Sequence, residues 1–418
     1  MKQLIHKISI LDIFCFFLCA YCFALCFSTY VLSVSMFGMS ACIFFKDSEK
    51  GIVINQQLLT QFRKINEISS RTWCIVFFIS VMISGLWSSQ YGNWFHHFRL
   101  LAPFVVIPVV FSFNYKWKYS HIHLVLLVGI VSMIFQLSDV LLHYFQNYEE
   151  INLSILKGKA IPTPISHIRF SLIIACNILI LAYFLLEKKV YKFSWEKWVY
   201  LFLCAYFFIG IHILAVKSGI LGMYLGLFIM ISLYFFKNKK MSYFLWFLPL
   251  IMGMLPLMIY LVPSLQLKYY HLLWQIGEWS RGKFRWYSDI ERWQSIQFGW
   301  ELIKENPLFG TGIGDIQDSM SKIYLSQLNS TDVKLPHNQF IFSWASSGII
   351  SLLILLKLLY QSLIKGFFIN NILGTSLMVI TWSSMLVENG LETEMGIGLF
   401  FWVFIISWLL NSRNLDQD

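Results

Sequence analysis

The chain has 418 residues, of which 57% are hydrophobic and only 13% are charged, and its formal net charge is +10. A water-soluble protein cannot bury this much apolar surface, so the composition indicates an integral membrane protein. The apolar stretches are long and do not alternate with polar residues, which favours membrane-spanning helices over barrel strands. In such a protein the basic residues first report loop orientation, and nucleic acid is not an expected partner.

The apolar stretches predict an all-α polytopic membrane protein with about twelve transmembrane helices. The predicted spans are residues 9–28, 30–45, 72–89, 99–114, 122–145, 167–186, 198–216, 219–236, 243–262, 337–356, 367–387 and 395–411. Lysine and arginine are concentrated in every second loop, which places both termini in the cytoplasm. The chain then divides into a membrane domain with spans 1–9 (residues 1–262), a large hydrophilic loop on the opposite face (263–336) and spans 10–12 (337–418).

Cations and histidines collect on the face that carries the large loop. They are His167 and Arg169 at the start of span 6, Lys217 between spans 7 and 8, Arg281, Arg285 and Arg292 in the loop, and His337 at the start of span 10. Charged groups at span ends are costly unless they are paired or used, so the set predicts a binding site for an anion. The alternative for any single arginine is a solvated surface or a contact with lipid headgroups. His337 stands at a span entrance, where it is well placed to transfer a proton.

One amphipathic helix is predicted inside the loop. Ser288-Asp289-Ile290-Glu291 has the pattern of a capping box, and Asn306-Pro307 ends the helix after about Glu305. Arg292 falls in its first turn, where free amides and the helix dipole favour anions. The helix would lie on the membrane or cover the spans with an apolar face formed by Ile290, Trp293, Ile296, Trp300 and Ile303.

The glycine-rich stretch Gly310-Thr311-Gly312-Ile313-Gly314 follows this helix. It predicts a tight turn that returns the chain to the membrane. A phosphate-binding loop is the alternative, although the stretch is neither a Walker motif nor a dinucleotide fingerprint after a strand.

Two groups of residues are candidates for a metal site. Glu388, Glu392 and Glu394 cluster in the last loop on the same face, where we expect solvated carboxylates and keep a divalent-cation site as the alternative. Four cysteines share one helical face in the first span, where small side chains let helices pack closely; they are Cys15, Cys19, Cys22 and Cys26. Only Asp12 and no histidine lies within a helical turn of them, so we expect no metal and no cofactor.

Several of these residues together resemble the O-antigen ligase and polymerase superfamily of bacterial envelope enzymes. His337-Asn338 with Gly348 is similar to the family's histidine pattern at the start of a late span. Arg292 followed by Pro307-Leu308-Phe309-Gly310-Thr311-Gly312 is similar to the arginine and Pro-Leu-x-Gly-x-Gly stretch of the family's large loop. Lys217-Ser218-Gly219 resembles a short turn in which the family commonly has arginine. The resemblance covers roughly residues 160–350, and the first spans match only in hydropathy.

The resemblance implies a multi-pass protein of the bacterial inner membrane whose active site faces the periplasm. Its donor would be a glycan on undecaprenyl diphosphate, its acceptor a hydroxyl of lipid A–core or another glycan, and its reaction an inverting transfer without metal. His337 would be the general base. Arg292 and Lys217 would stabilise the diphosphate leaving group, although Lys217 offers a point charge where arginine offers a planar fork. Further substrate contacts are assigned to Arg169, His167, Arg285, Arg281 and Asn338.

Three functions remain open from the sequence. An O-antigen ligase is favoured, because a single large arginine-bearing loop late in the chain is more typical of ligases than of polymerases. An O-antigen polymerase would use the same donor with a lipid-linked glycan as acceptor. A transporter or flippase of lipid-linked glycan is the alternative from another class, but it would place ionisable residues along the span interiors, and no internal repeat is visible.

The topology is tested by reporter fusions after residues 240 and 300. The alternation of basic loops predicts a cytoplasmic signal from the first fusion and a signal from the opposite face from the second. A cytoplasmic signal from the fusion after residue 300 would contradict the topology, and the proposed donor would then lie on the wrong side.

Overall fold

The computed structural model describes residues 9–48, 51–55, 69–113, 115–186, 193–240, 249, 253–281, 288–364 and 371–411. These residues are mostly helical, which confirms the predicted helical class. The helices are α1 (Ile10–Ala24), α2 (Thr29–Cys42), α3 (Ser70–Ser84), α4 (Tyr91–Leu101), α5 (Pro103–Val110), α6 (Tyr119–Gln146), α7 (Tyr148–Leu156), α8 (His167–Leu186), α9 (Glu196–Leu214), α10 (Lys217–Lys237), α11 (Pro263–Ser280), α12 (Ser288–Glu305), α13 (Ile316–Leu328), α14 (Gln339–Leu359), α15 (Ile372–Ser384) and α16 (Glu394–Leu410). Residues 253–261 are helical as well, and short 3₁₀ turns lie at Gly85–Trp87 and Gly390–Glu392.

One small element departs from the all-α prediction. Two strands, β1 (Phe45–Ser48) and β2 (Gly51–Ile54), form an antiparallel hairpin with Phe45 opposite Ile54. The Asp47 carboxylate of this hairpin accepts a 2.9 Å hydrogen bond from the backbone N–H of Ile10, which ties the hairpin to the start of α1.

Six helical stretches of the described residues are long and apolar enough to cross a membrane. They are Ser70–Trp87, Tyr119–Gln146, His167–Leu186, Glu196–Leu214, Lys217–Lys237 and Gln339–Ile364, and four shorter apolar helices accompany them. The predicted span 99–114 is broken into the end of α4 and α5, since Pro103 starts a new helix. Residues 243–248 and 250–252 of the predicted span 243–262 lie outside the described residues, and residues 253–261 are helical. The count of twelve therefore stays a prediction.

Glycines bring α10 close to α8 and α15. Gly219, Gly222 and Gly226 lie on one face of α10, and an added Cβ at these positions would meet Ser171 and Leu172 of α8 or Ile380 of α15. Such small residues let membrane helices pack backbone to backbone. The first residues of α8 and α10, which include two predicted site residues, are consequently held side by side.

The loop 263–336 is itself built of three helices, α11, α12 and α13. The helix α12 has the bounds that the capping box and Asn306-Pro307 predicted. Of its predicted apolar face, Ile303 is buried and Trp293 and Trp300 are exposed, so the position of this face on the membrane or over the spans stays a prediction. The buried side of α12 also includes Ser295, Phe298 and Gly299. An added Cβ at Gly299 would meet Pro336 and Ile341, so the small face of α12 covers the start of α14.

The glycine-rich stretch 310–314 forms a turn that packs against a kink in α14. The backbone N–H groups of Thr311 and Gly312 donate to the carbonyls of Ala345 and Ser346, at 2.8 and 2.9 Å. The backbone N–H groups of Ile313 and Gly314 donate to the hydroxyls of Ser84 and Ser88, respectively. These four donors are used inside the protein, so the predicted tight turn is confirmed and the phosphate-binding loop is wrong.

The kink in α14 explains why a glycine, Gly348, follows His337-Asn338 in the pattern described above. Gly348 has a φ of 80°, a conformation that side chains other than glycine rarely adopt. An added Cβ there would collide with the Leu308 carbonyl, and one at Gly310 would meet the Ala345 carbonyl. Both glycines are therefore required where the large loop meets α14.

Candidate functional site

Several helix ends converge on a small cavity lined by cations. The cavity has a volume of about 170 Å³. His167 is the first residue of α8, Lys217 is the first residue of α10, and Arg292 lies near the start of α12. All three line the cavity, so the structure brings together three residues that the sequence had placed in one anion-binding site.

Arg292 also joins this cavity to a second group of side chains. Its Nη2 atom lies 3.1 Å from Oε1 of Glu388. The other carboxylate oxygen, Oε2, lies 3.5 Å from Nδ1 of His337. The Glu388 side chain is only 8% exposed, so one buried carboxylate contacts both the predicted clamp and the predicted base.

The protonation of Glu388 follows from its neighbours. Burial alone would raise the pKa of this carboxyl group, but the His337 contact, Arg292 and Arg169 together hold its pKa below the ordinary value. Glu388 therefore carries its negative charge at neutral pH. The expectation of a solvated carboxylate is wrong for Glu388, because the loop after α15 folds back over the start of α14.

The two other acids of that loop differ from each other. Glu392 is part of a half-buried pair with His97, at 3.0 Å, so the expectation of a solvated carboxylate is wrong here too. Glu394 is exposed, as expected. Among the described residues, no three His, Cys, Asp or Glu side chains are grouped so that they could hold a metal ion.

The start of α14 fixes the loop that carries Glu388. The Asn338 side chain accepts from the N–H groups of Phe340 and Ile341 as the N-cap, and its amide donates to the Leu386 carbonyl at 2.9 Å. The backbone N–H of His337 donates to the Ser295 hydroxyl of α12 at 3.1 Å. Both ends of the Asn338 amide are thus engaged in structure, and its substrate contact stays a prediction.

The three other arginines that the sequence assigned to the site differ from Arg292 in their positions and contacts. Arg169 donates to the Ser166 hydroxyl at 3.2 Å, and its charge acts on Glu388. Arg281 forms a 3.4 Å ion pair with Glu278, and its side chain is 71% exposed; it does not line the cationic cavity. Arg285 lies outside the described residues. Contacts of these three with a substrate stay predictions.

The helix α11 supplies lining residues that the sequence reasoning missed. Lys268, His271 and Gln275 line the cationic cavity. The Lys268 ammonium donates to the carbonyls of Gly158 and Lys159, at 3.1 and 2.7 Å. The three residues are spaced by three and four positions, which puts them on one helical face. That spacing was the available signal, but it has meaning only once residues 263–280 are known to be a helix.

An apolar groove adjoins the cationic cavity. Its volume is about 570 Å³. Ala215, Lys217 and Lys268 line both spaces, and the remaining lining residues of the groove are Ile220, Leu221, Tyr224, Leu255, Ile259, Leu265, Tyr269 and Leu272. A ligand with an anionic group at the two lysines and an apolar chain in the groove matches this arrangement.

The fold and the site define a multi-pass helical membrane protein with a cationic cavity, an adjoining apolar groove and an imidazole beside a buried carboxylate. Residues 199–356 match the family model described as O-antigen ligase. This match confirms the resemblance indicated by the motifs, and the family implies a glycosyltransferase-like enzyme with a lipid-linked glycan as substrate. The matched region includes Lys217, Arg292 and His337 but ends before Glu388. A comparison with curated proteins found no match.

Replacing Glu388 with glutamine removes the charge that Arg292 and His337 share. We expect Glu388→Gln to lose roughly 1–3 kcal/mol of stability at neutral pH, the usual worth of hydrogen bonds to a charged group. Because the pKa of Glu388 is lowered in the folded protein, the wild-type advantage should be complete above the ordinary carboxyl pKa and vanish as the pH falls through the lowered pKa.

Thermal unfolding midpoints of both proteins, measured from neutral to acidic pH in one detergent, check this expectation. Glu394→Gln is the matched control, since Glu394 is exposed, and it should not change the midpoint. Equal midpoints for the wild type and Glu388→Gln at neutral pH would show that the carboxylate is not engaged as described.

Proposed function

We propose that the protein is an O-antigen ligase-like glycosyltransferase, which moves a glycan from undecaprenyl diphosphate to a hydroxyl of lipid A–core at the periplasmic face of the bacterial inner membrane. The observation that carries the proposal is the position of Arg292. It lines the cationic cavity and pairs with the carboxylate that contacts His337. This position supports a proposed anion site and a proposed proton-accepting group that lie next to each other.

The donor would occupy both spaces that share Lys217 and Lys268. Its polyprenyl chain fits the apolar groove, and its diphosphate would lie between the two lysines and Arg292. A cluster of cations around a diphosphate stabilises the charge that grows as the sugar leaves. Arg292 presents a planar fork for phosphate oxygens, whereas each lysine offers a compact charge.

His337 would accept the proton of the acceptor hydroxyl. The hydroxyl oxygen attacks the anomeric carbon, the bond from that carbon to the phosphate oxygen breaks, and the lipid diphosphate leaves with the electron pair. Glu388 beside Nδ1 would orient the ring and stabilise the imidazolium that forms. The 3.5 Å separation between Nδ1 and the carboxylate is longer than a formed hydrogen bond, and catalytic contacts of this kind commonly tighten when substrate binds.

A transporter is a weaker explanation of this arrangement. A translocation path needs ionisable groups along the helix interiors, whereas His167, Lys217 and His337 stand at helix starts. A polymerase would use the same donor and the same groups, so a different experiment separates it.

Single substitutions distinguish the base from the clamp. His337→Ala should lower turnover roughly 10²–10⁴-fold, the usual worth of general base catalysis, with little change in donor binding. Arg292→Ala should weaken donor binding and lower turnover on the order of 10²–10³-fold, because it removes a preorganised donor to a developing anion. Lys217→Arg should be tolerated because the charge is kept, and Lys217→Ala should not be.

Donor binding and transfer rate are measured for each variant in the same nanodisc preparation with excess chelator, since we propose a reaction without metal. Near-normal transfer by folded His337→Ala would remove the general base from the proposal. Activity that disappears with chelator and returns with Mg²⁺ would contradict the metal-free reaction.

The acceptor is tested on the surface lipopolysaccharide of a deletion strain. A ligase predicts loss of the whole glycan ladder on a gel together with accumulated lipid-linked polymer. A single repeat attached to the core would instead identify a polymerase. An unchanged ladder would contradict both functions.

A further inference from the structure

A second pair of oppositely charged side chains lies behind the Glu388 loop. Nε2 of His97, on α4, is 3.0 Å from Oε2 of Glu392 in the turn Gly390–Glu392. The His97 side chain is 12% exposed and that of Glu392 is 9% exposed. Nothing in the motifs or in the proposed reaction uses this pair.

The hydrogen bonds of His97 define its protonation. Its Nδ1 lies 2.8 Å from the Asn93 carbonyl oxygen, and a carbonyl only accepts, so Nδ1 carries a proton. Nε2 faces a carboxylate, which also only accepts when it is ionised. With Glu392 ionised, both ring nitrogens donate, so these contacts favour the imidazolium form of His97. Burial by itself would lower the pKa of His97, yet the Glu392 contact and the Asn93 carbonyl raise it above the ordinary value.

Several other charged or titratable groups lie around α4. They are Glu392 in the turn, Arg71 and Cys74 on α3, Glu394 at the start of α16, which lines a cavity with His96 and Arg99, and Asp315, which accepts from the backbone just before α4, while α5 carries none. Tyr91, His96 and Arg99 lie on α4 itself, and the His96 ring meets the His97 ring edge to face at 5.7 Å. Of these groups, Glu392 is the one that raises the pKa of His97.

The pair connects α4 to the segment that carries Glu388. The start of α14 holds this segment on both sides of Glu388, because the backbone N–H of Gln339 donates to the Met385 carbonyl and the backbone N–H of Leu391 donates to the Gln339 side chain, both at 2.9 Å. Glu392 directly follows Leu391, so His97 adds a third attachment at the end of the segment.

The helix α4 is itself fixed to the glycine turn of the large loop. The backbone N–H groups of Ser89 and Gln90 donate to the Asp315 carboxylate at 2.7 and 2.8 Å. The Asn93 amide donates to the Gly314 carbonyl at 3.2 Å. His97 thus holds Glu392 from a helix that is anchored to the turn following α12, the helix of Arg292.

We propose that the imidazolium of His97 is a positioning residue for the transfer reaction, because by holding Glu392 it fixes the loop from which Glu388 reaches Arg292 and His337. The inference rests on the proposed function. Charged His97 keeps the carboxylate in place, and loss of its proton releases the turn. The stabilisation is complete below the ordinary histidine pKa and is lost as the pH rises through the raised pKa of folded His97.

The first test follows transfer against pH. His97→Gln should lower kcat roughly 10- to 100-fold, since a misplacement of about 1 Å costs on the order of 100-fold, and it should leave donor Kd unchanged. The kcat of the wild type should fall as the pH rises into the alkaline range, and this fall should be absent from His97→Gln. His97→Arg, whose charge does not titrate in this range, should recover part of kcat and likewise lack this fall. His143→Gln is the matched control at an exposed histidine of a different helix, α6, and it should behave as the wild type.

The second test needs no transfer reaction. The thermal midpoint of the wild type should exceed that of His97→Gln at acidic and neutral pH, and the difference should shrink as the pH rises. The double variant of His97→Gln with Glu392→Gln should be no worse than the poorer single variant in both tests.

The outcomes separate the two proposals. If the difference in thermal midpoint between the wild type and His97→Gln does not vary with pH, the proposal that His97 acts as a charged imidazolium is overturned. Wild-type kcat and an unchanged pH profile in His97→Gln overturn the positioning, while a large loss in His337→Ala in the same assay leaves the proposed function standing. A wild-type protein that transfers nothing overturns the proposed function and the catalytic part of this inference together, and the thermal test then decides only on the charged pair.

Discussion

A buried carboxylate is costly unless it is paired, and the pairing of Glu388 constrains the arrangement around it. Arg292 approaches one oxygen and His337 the other. For these contacts to exist, α12 must cover the start of α14 and the loop after α15 must fold back over both. The small face of α12 at Gly299 and the amide of Asn338 make this possible. The charge of one side chain thus depends on the packing of three separate segments.

The proposed anion site likewise depends on the close packing of separate helices. The glycines of α10 let it approach α8 and α15, which brings Lys217 next to His167 at the edge of one cavity. The helix α11 closes that cavity and adds Lys268, whose ammonium is held by two backbone carbonyls. Because Lys217 and Lys268 also line the apolar groove, charge and apolar surface meet where the proposed amphipathic donor would need both.

Part of the site was readable from residue types and spacing. His337, Arg292 and Lys217 were predicted to share one site because cations and histidine collect on the face that carries the large loop, and the structure does bring them close to one cavity and to Glu388. The bounds of α12 followed from its capping box and the Asn-Pro stop. Glu388 was misassigned as solvated, since a lone glutamate in a short loop shows nothing of the arginine and histidine that come from elsewhere in the chain. Lys268 and His271 were missed because the periodicity of α11 was not recognised inside a segment assumed to be a loop.

The sequence by itself determined the membrane class and the helical fold, and it predicted that the cations of separate segments gather together, because hydropathy and charge distribution act locally along the chain. The tertiary structure decided which face of α12 is buried, that the glycine stretch 310–314 serves a kink at Gly348 rather than a phosphate, and that His97 meets Glu392. These depend on contacts between residues far apart in sequence, and in a single sequence no local propensity records them.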